Sequence, residues 1–283
     1  MSIGGVITAM VTPFDGEGRV DEAAAAHLIE HLLENGSDGV VMASTTGESS
    51  TLDDEEKLRL FQLAADVAGS ALVVANTGSN DTRHSVELTE KASRIDGVDA
   101  ILAVTPYYNK PNRRGIVAHF HAIAAATDLP VIVYNIPSRC VVDIPNELLA
   151  ELAQVDNISG VKQARAEDLA PIEGMSLLAG NDDMLAAVLD LGGTGGILVA
   201  SQIVGDEMRR MIDEPDQRRA IDGSLQDLYR ALSVTTNPIP VKTAMRMLGH
   251  DVGGFRLPLV EASDEEAEEI RVVLDRHGLL SAV

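Results

Sequence analysis

Ile158-Ser159-Gly160-Val161-Lys162-Gln163-Ala164 combines a short apolar run with a single lysine at its carboxyl end. The run predicts a buried strand that Lys162 closes. Burying an ammonium costs several kcal/mol unless the group is paired or loses its charge. A lysine that loses its charge is an amine nucleophile, which can form a Schiff base with a carbonyl compound. The alternative is a strand-end lysine whose stem lies along the surface while its ammonium reaches solvent.

The other four lysines occupy different predicted settings. Lys57 and Lys91 fall on polar faces or ends of predicted helices, and Lys110 falls in a polar loop. Lys242 follows two prolines in a late helical region. Lys162 is therefore the one lysine that the sequence places at the end of an apolar strand.

Seven more apolar runs surround this one, and amphipathic segments alternate with them. The predicted strands are Gly4–Phe14, Gly39–Ser44, Ala71–Asn76, Asp99–Thr105, Pro130–Asn135, Ile158–Lys162, Ser176–Ala179 and Gly195–Ala200. The predicted helices are Asp21–Gly36, Asp53–Ala68, Asp81–Ser93, Gly115–Thr127, Asn146–Ala153, Glu167–Ile172 and Asp182–Leu191. Unbroken rather than alternating apolar runs are typical of parallel strands that are buried on both faces.

Eight parallel strands within about 200 residues predict an α/β fold of the (β/α)8 TIM-barrel type. A doubly wound open sheet is the alternative, but no glycine-rich fingerprint follows the first strand. Residues 1–203 are predicted to form the catalytic barrel, and residues 204–283 a C-terminal helical extension.

The composition excludes several classes of protein. Acidic residues number 44 and basic residues 22, and the net charge of −22 disfavours binding to nucleic acid or to anionic membranes. The single cysteine, Cys140, permits no intrachain disulfide, and no apolar run reaches the length of a membrane span. We expect a soluble cytoplasmic protein. Few lysines and many carboxylates also resemble the composition of proteins from salt-accumulating organisms.

In such a barrel the chemistry takes place at the carboxyl ends of the strands. Lys162 would supply an amine there, and a phenol could relay the protons that imine chemistry requires. Tyr134 is the first candidate for that phenol and Tyr108 the second. The Thr45 hydroxyl can bridge two phenols, because it both donates and accepts.

Three further rim positions are predicted to bind substrate. The Thr46-Gly47 turn offers backbone N–H groups to a carboxylate. Arg139, on the loop after the fifth strand, can bind a second carboxylate through two parallel hydrogen bonds. Gly180 ends the seventh strand on the same rim.

These motifs resemble a known family. They are Thr45-Thr46-Gly47-Glu48-Ser49, Val104-Thr105-Pro106-Tyr107-Tyr108-Asn109-Lys110-Pro111, Tyr134-Asn135-Ile136-Pro137-Ser138-Arg139, Gly160-Val161-Lys162, Asn237-Pro238-Ile239-Pro240-Val241-Lys242 and Arg256-Leu257-Pro258-Leu259. The chain is similar, over nearly its whole length, to the dihydrodipicolinate synthase family of the N-acetylneuraminate lyase superfamily. The resemblance implies a lyase that condenses pyruvate with L-aspartate 4-semialdehyde to 4-hydroxy-tetrahydrodipicolinate, in lysine and diaminopimelate biosynthesis.

The resemblance also implies the roles of individual residues. Lys162 would form the covalent imine with pyruvate, with no cofactor and no metal, and Tyr134 would donate and accept protons. Thr46 and the backbone of Ile197 would hold pyruvate, and Arg139 the carboxylate of the semialdehyde. Tyr108 would reach into a neighbouring subunit's site, which implies a homo-oligomer, commonly a tetramer built as a dimer of dimers.

The chain departs from the family pattern at several positions. Ser44 and Val141 replace glycines, and Gln163 follows the lysine where glutamate is common; none of these changes removes a proposed catalytic group. In members that lysine inhibits, an allosteric cleft carries further polar residues. Ser49, Asn80 and Tyr107 match that set, whereas Asp54, Lys57 and His84 stand where histidine or glutamate would be expected. The resemblance therefore does not extend to feedback inhibition.

Other functions are also open. An aldolase of the same superfamily, acting on N-acetylneuraminate or a 2-keto-3-deoxy sugar acid, would share the pyruvate machinery, and a non-enzymatic barrel could bind a keto acid. His27-x-x-Glu30-His31 matches a zinc-binding motif, although an exposed helix face explains it as well. Gly192–Gly196 could bind a phosphate, but a tight turn into strand eight is the simpler interpretation.

Overall fold

The computed structural model describes residues 3–280 and contains a closed, entirely parallel eight-stranded barrel. The strands pair in chain order and the eighth pairs with the first. The strands are β1 (Gly5–Ala9), β2 (Gly39–Met42), β3 (Leu72–Asn76), β4 (Ala100–Val104), β5 (Val131–Asn135), β6 (Ile158–Gln163), β7 (Ser176–Ala179) and β8 (Gly195–Leu198). The predicted TIM-barrel architecture is confirmed.

Burial on both faces explains why the strands are uninterrupted apolar runs. Side chains that point inward fill the barrel with a core of thirteen buried apolar residues. They are Ile3, Ile7, Ala9, Val41, Val74, Ala100, Leu102, Ile132, Tyr134, Ile136, Cys140, Leu178 and Ile197. A larger apolar layer lies between the outer faces of the strands and the helices. Successive residues of a strand point to opposite faces, so alternating polar and apolar residues would have placed polar side chains in one of these two layers.

Helices surround the barrel, and their ends follow local capping chemistry. At the start of the helix Asp54–Val67, the Asp53 carboxylate accepts a hydrogen bond from the Glu56 N–H, and the Glu56 carboxylate accepts one from the Asp53 N–H. The two bonds form a capping box. The helices that connect consecutive strands are α1 (Glu22–Glu34), α2 (Asp54–Val67), α3 (Thr82–Ala92), α4 (Arg113–Ala124), α5 (Pro137–Cys140), α6 (Asn146–Leu152) and α7 (Leu185–Asp190).

Two details of the sequence prediction are wrong. No helix forms at Glu167–Ile172, because residues 164–175 connect β6 to β7 through turns. Asp168 adopts a left-handed conformation with φ of 52°, and Pro171 has no N–H to donate to a helix. The first strand ends at Ala9 rather than Phe14, because the chain leaves the barrel wall there and forms a rim loop.

Up to residue 280, four helices follow the last strand: α8 (Ser201–Asp213), α9 (Arg218–Ala231), α10 (Ile239–Met247) and α11 (Asp264–Arg276). Helix α8 packs on β1, α9 and α10 each pack on α8, and α11 packs on α9 and α10. The division of the chain at residue 203 into a barrel and a C-terminal extension remains a prediction. Residues 1–2 of the first region and 281–283 of the second lie outside the described part. No helix within residues 3–280 has both the length and the apolar character needed to cross a bilayer.

Candidate active site

The register between β5 and β6 brings the predicted nucleophile and the predicted phenol together. Tyr134 and Lys162 are directly paired positions of these adjacent parallel strands. The Nζ atom of Lys162 lies 4.1 Å from the centroid of the Tyr134 ring, over its face. Both side chains are nearly inaccessible to solvent, with 3% of Lys162 and 4% of Tyr134 exposed. An amine therefore faces an aromatic ring inside the barrel mouth.

Burial sets the charge state of Lys162. Loss of hydration is the main reason that the pKa of its amine falls from 10.5 to about 7; Asp182 opposes the shift, and the positive charge of Arg139 adds to it. A lysine exposed to water has a pKa about three units higher and is almost entirely protonated at neutral pH. A substantial fraction of Lys162 is consequently a neutral amine near neutral pH, which is the form that attacks a carbonyl carbon.

The phenol beside it stays protonated. Burial raises the pKa of Tyr134 well above its ordinary value, while Arg139 and a hydrogen bond with the Thr45 side chain act in the opposite direction. Thr45 comes from the turn after β2 and Tyr134 from β5, so segments of two non-adjacent strands bring these hydroxyls together. A phenol held this way can donate its proton and recover it through the threonine hydroxyl.

The turn after β2 is held in place from the C-terminal region. The Thr46 Oγ1 atom accepts a 3.0 Å hydrogen bond from Asn237 Nδ2, just ahead of α10. Thr46 is 2% exposed but still lines the cavity. The turn predicted to bind a carboxylate, Thr46-Gly47, therefore faces the cavity at Thr46 and is held there by Asn237.

Arg139, Gly180 and Ile197 occupy different positions around this cavity. Arg139 is exposed on α5, and its Nη2 atom donates to the Asn237 carbonyl at 3.3 Å. Gly180 lines the cavity where β7 passes β6; a Cβ there would lie 2.7 Å from the Gln163 carbonyl carbon. Ile197 is fully buried in the inner core of the barrel, and Val199, two residues further on, reaches the cavity wall.

Tyr108 does not join this cluster within the chain. It is 88% exposed and adopts a left-handed backbone with φ of 70°. The cavity that contains Lys162 is lined by other residues. The ring of Tyr108 is therefore accessible from outside the chain.

The cavity itself has a volume of about 420 Å³ and includes residues whose role the sequence did not indicate. Asp182 was predicted as the first residue of a helix, without a function, and Tyr229 and Asn237 belong to the region predicted to be a C-terminal helical extension. Helix α9 packs across the turn that follows β7 and forms one wall of the cavity. The clue to Tyr229 was weak: it is the fourth tyrosine of the chain, on an otherwise ordinary amphipathic helix.

The structure contains a second deeply buried lysine, Lys242. The sequence predicted only that this residue lies in a helical region. Lys242 is completely buried, with its Nζ atom 2.9 Å from Glu48 Oε1 and 2.8 Å from the Thr12 carbonyl oxygen. The Nζ atom also lies 4.3 Å from the ring centroid of Phe14. A buried ammonium with a carboxylate partner is a structural cation. Lys162 has no such direct partner among residues 3–280, and it lines the cavity at the carboxyl ends of the strands.

A second cavity, of about 740 Å³, opens beside the first and shares Thr45 and Arg139 with it. Its lining contains every position compared with the allosteric cleft above: Ser49, Asp54, Lys57, Asn80, His84 and Tyr107. The His84 Nε2 and Asp54 Oδ1 atoms are 2.8 Å apart. The predicted lack of feedback inhibition stays a prediction.

The structure favours neither of the two remaining motif interpretations. Within residues 3–280, no three histidine, cysteine, aspartate or glutamate side chains come together as a metal site requires. The His31 ring instead packs 4.4 Å from that of His250. Gly195 begins β8, and a Cβ there would lie 2.1 Å from the Gly5 carbonyl oxygen, so close strand pairing explains this glycine.

The fold and site define a class of (β/α)8-barrel proteins that place a buried, weakly basic lysine and a phenol at the carboxyl ends of adjacent strands. The dihydrodipicolinate synthetase family model matches residues 2–277. The chain is 42% identical over 293 residues to the 4-hydroxy-tetrahydrodipicolinate synthase of Desulforudis audaxviator, covering 99% of each sequence. This chain belongs to the dihydrodipicolinate synthetase family, as the sequence motifs predicted.

Solved structures agree with this assignment. A lysine-bound DHDPS from Cyanidioschyzon merolae superposes with a TM-score of 0.94 at 41% identity, over 98% of this chain and 99% of that one. The chloride-inhibited dihydrodipicolinate synthase from Acinetobacter baumannii, complexed with pyruvate, also gives 0.94, at 35% identity, over 99% of this chain and 100% of that one.

Proposed function

We propose that this chain is a lyase that condenses pyruvate with L-aspartate 4-semialdehyde to form 4-hydroxy-tetrahydrodipicolinate, in lysine and diaminopimelate biosynthesis. The observation that carries the proposal is the amine of Lys162, buried against Tyr134 in a cavity at the carboxyl ends of the strands. Family membership and full-length similarity to synthases of that name support the choice of substrates.

The first step is formation of an imine. The neutral Lys162 amine attacks the C2 carbonyl carbon of pyruvate, the resulting carbinolamine loses its oxygen as water, and a C=N bond replaces the C=O bond. The low basicity of the buried amine favours the attack, because less of it is held as ammonium. Thr46, with the backbone near Ile197, would hold the pyruvate carboxylate during this step.

Proton transfer then makes the carbon nucleophile. Loss of a proton from the pyruvate methyl group converts the imine to an enamine, whose terminal carbon attacks the aldehyde carbon of the acceptor. Tyr134, paired with Thr45, is placed to carry these protons, since its ring lies against the Lys162 amine. Attack of the acceptor's own amino group on the imine carbon closes the ring and releases the lysine.

Arg139 is the proposed site for the acceptor's carboxylate. It lies five residues after Tyr134, on the mouth of the cavity, where a guanidinium can match a carboxylate with two hydrogen bonds. Gly180 lines the same cavity, where the absence of a side chain lets β7 pass close to β6. A sugar-acid aldolase would need side chains that bind a row of hydroxyls, and the loop from Ile136 to Val142 offers few.

We further propose that the protein works in the cytoplasm as a homo-oligomer, a tetramer arranged as a dimer of dimers, in which Tyr108 completes a neighbour's proton relay. The exposure of the Tyr108 ring supports this assembly. Mixing inactive Tyr108→Phe and Lys162→Ala subunits should restore activity, since one site in the hybrid dimer would then hold both groups. Verified hybrids with no activity would show that each site is built within one chain.

The deciding experiment is borohydride reduction with pyruvate, followed by peptide mapping and an acceptor panel. We expect one three-carbon adduct on Lys162, and faster pyruvate consumption with aspartate semialdehyde than with any other aldehyde. An adduct on Lys242, or none, would reject the mechanism. Faster cleavage of N-acetylneuraminate or a 2-keto-3-deoxy sugar acid would instead assign the chain to the alternative aldolase activity.

A further inference from the structure

Two carboxylates line the side of the cavity formed by the turn after β7. The Oδ1 atom of Asp182 accepts hydrogen bonds from the backbone N–H groups of Val199, at 2.8 Å, and Ala200, at 3.0 Å. These two donors fix the carboxylate and leave its second oxygen available. Asp183, the next residue, is exposed and has no ion pair or hydrogen bond within residues 3–280. Neither carboxylate is used by the mechanism above.

An unpartnered hydroxyl lies on the same wall. Tyr229 of α9 lines the cavity and is only 6% exposed, yet its Oη atom has no hydrogen-bond partner within residues 3–280. Helix α9 packs directly on the Asp182–Met184 turn. Burial, followed by the negative charges of Asp182 and its neighbours, holds the pKa of Tyr229 above its ordinary value. A buried hydroxyl left without a partner is costly, which points to a polar group that meets it when the site is filled.

Groups of both signs line the cavity. Arg139, Arg230 and the protonatable amine of Lys162 are the nitrogen groups, and Asp182 and Asp183 supply two carboxylates on the turn after β7. The acceptor under the proposed function carries a carboxylate and an ammonium on the same carbon atom. An ammonium has three N–H donors, and two carboxylates with one phenol oxygen offer three acceptors.

We propose that Asp182, Asp183 and Tyr229 form an ammonium subsite that selects an amino-bearing aldehyde over its desamino analogue. This inference rests on the proposed function, since it assigns the part of the acceptor that Arg139 does not bind. Succinate semialdehyde is the matched probe, because it keeps the aldehyde and carboxylate and has hydrogen in place of the ammonium. Discrimination arises from charged hydrogen bonds that only one of the two compounds can form.

The test compares Asp183→Asn and Tyr229→Phe with the wild type. We expect Asp183→Asn to lower kcat/KM for aspartate semialdehyde about 10-fold to 100-fold, the range for one charge-assisted hydrogen bond. The inhibition constant of succinate semialdehyde and the rate of pyruvate trapping by borohydride should change less than about twofold. Tyr229→Phe should lower the same kcat/KM several-fold without lowering Tm, because the hydroxyl it removes has no partner.

Asp216→Asn is the control for net charge, since Asp216 is exposed and outside the cavity. It should behave as the wild type. Two outcomes would overturn the subsite: both cavity variants retaining wild-type kcat/KM, or both losing affinity for the two aldehydes equally. A wild type that does not consume aspartate semialdehyde at all would instead refute the proposed function, so the two failures are distinguishable.

Discussion

The low basicity of Lys162 predicts an unusual pH dependence for imine formation. Burial lowers the pKa of its amine from 10.5 to about 7. An ordinary lysine would be only about 0.03% neutral at pH 7, whereas this one is about half neutral, a gain of roughly a thousandfold in reactive amine. The initial rate of pyruvate trapping should rise with a midpoint near pH 7 and level off above about pH 8.

The same pKa shift lowers the stability of the fold. Keeping the buried amine protonated costs about 5 kcal/mol of folding free energy, at 1.36 kcal/mol per pKa unit, because the ammonium loses hydration. Between pH 7 and 10.5 the unfolded chain binds the proton more readily, so this penalty shrinks as pH rises. Lys162→Met, which removes the charge but keeps an unbranched chain, should therefore be more stable than the wild type, with the difference largest at and below pH 7.

Two measurements check this reasoning. Cyanoborohydride trapping over pH 5.5–10 gives the kinetic midpoint, and urea unfolding of both proteins at pH 7 and 10 gives the stability difference. A trapping midpoint above pH 9 would mean that the amine is solvated. A Lys162→Met advantage that does not shrink toward pH 10 would show that packing, rather than charge burial, is responsible.

Three more predictions concern the acceptor, the second buried lysine and the surface. Arg139→Ala should reduce kcat/KM for aspartate semialdehyde by about 10-fold to 100-fold, with pyruvate trapping largely intact, because an exposed guanidinium contributes one charged contact. Lys242→Met should cost about 3–5 kcal/mol in urea unfolding by leaving Glu48 buried and unpaired, and adding Glu48→Gln should restore much of it; a single variant that costs less than about 1 kcal/mol would contradict the ion-pair assignment. With a net charge of −22, Tm should rise as potassium chloride screens self-repulsion, and a Tm that is independent of salt would reject this.

Strand positions could be predicted because each strand is buried on both faces. The run Val131-Ile132-Val133 of β5 must be apolar to fit between the inner core and the helices, so the constraint is local and visible in the sequence. The helix predicted at Glu167–Ile172 was wrong. The segment is amphipathic enough to suggest a helix, but the left-handed backbone of Asp168 and the missing N–H of Pro171 favour turns.

The candidate nucleophile could also be predicted, since a charged residue at the end of an apolar strand conflicts with burial energetics. The burial of Lys242 could not be predicted in the same way, because its compensating partner is 194 positions away in the chain. Whether a buried lysine is a reactive amine or a structural cation depends on that partner. Only the folded chain brings Glu48 to Lys242.

Sequence alone determined the barrel, its parallel strands, the rim positions and the family, because each depends on local apolar pattern or on contiguous motifs. The tertiary structure determined the pairing of Tyr134 with Lys162, which follows from strand register. It also determined that α9 closes the cavity with Tyr229 beside Asp182. These juxtapositions join segments distant in the chain, and both the acidity of a side chain and its need for a hydrogen-bond partner depend on what surrounds it after folding.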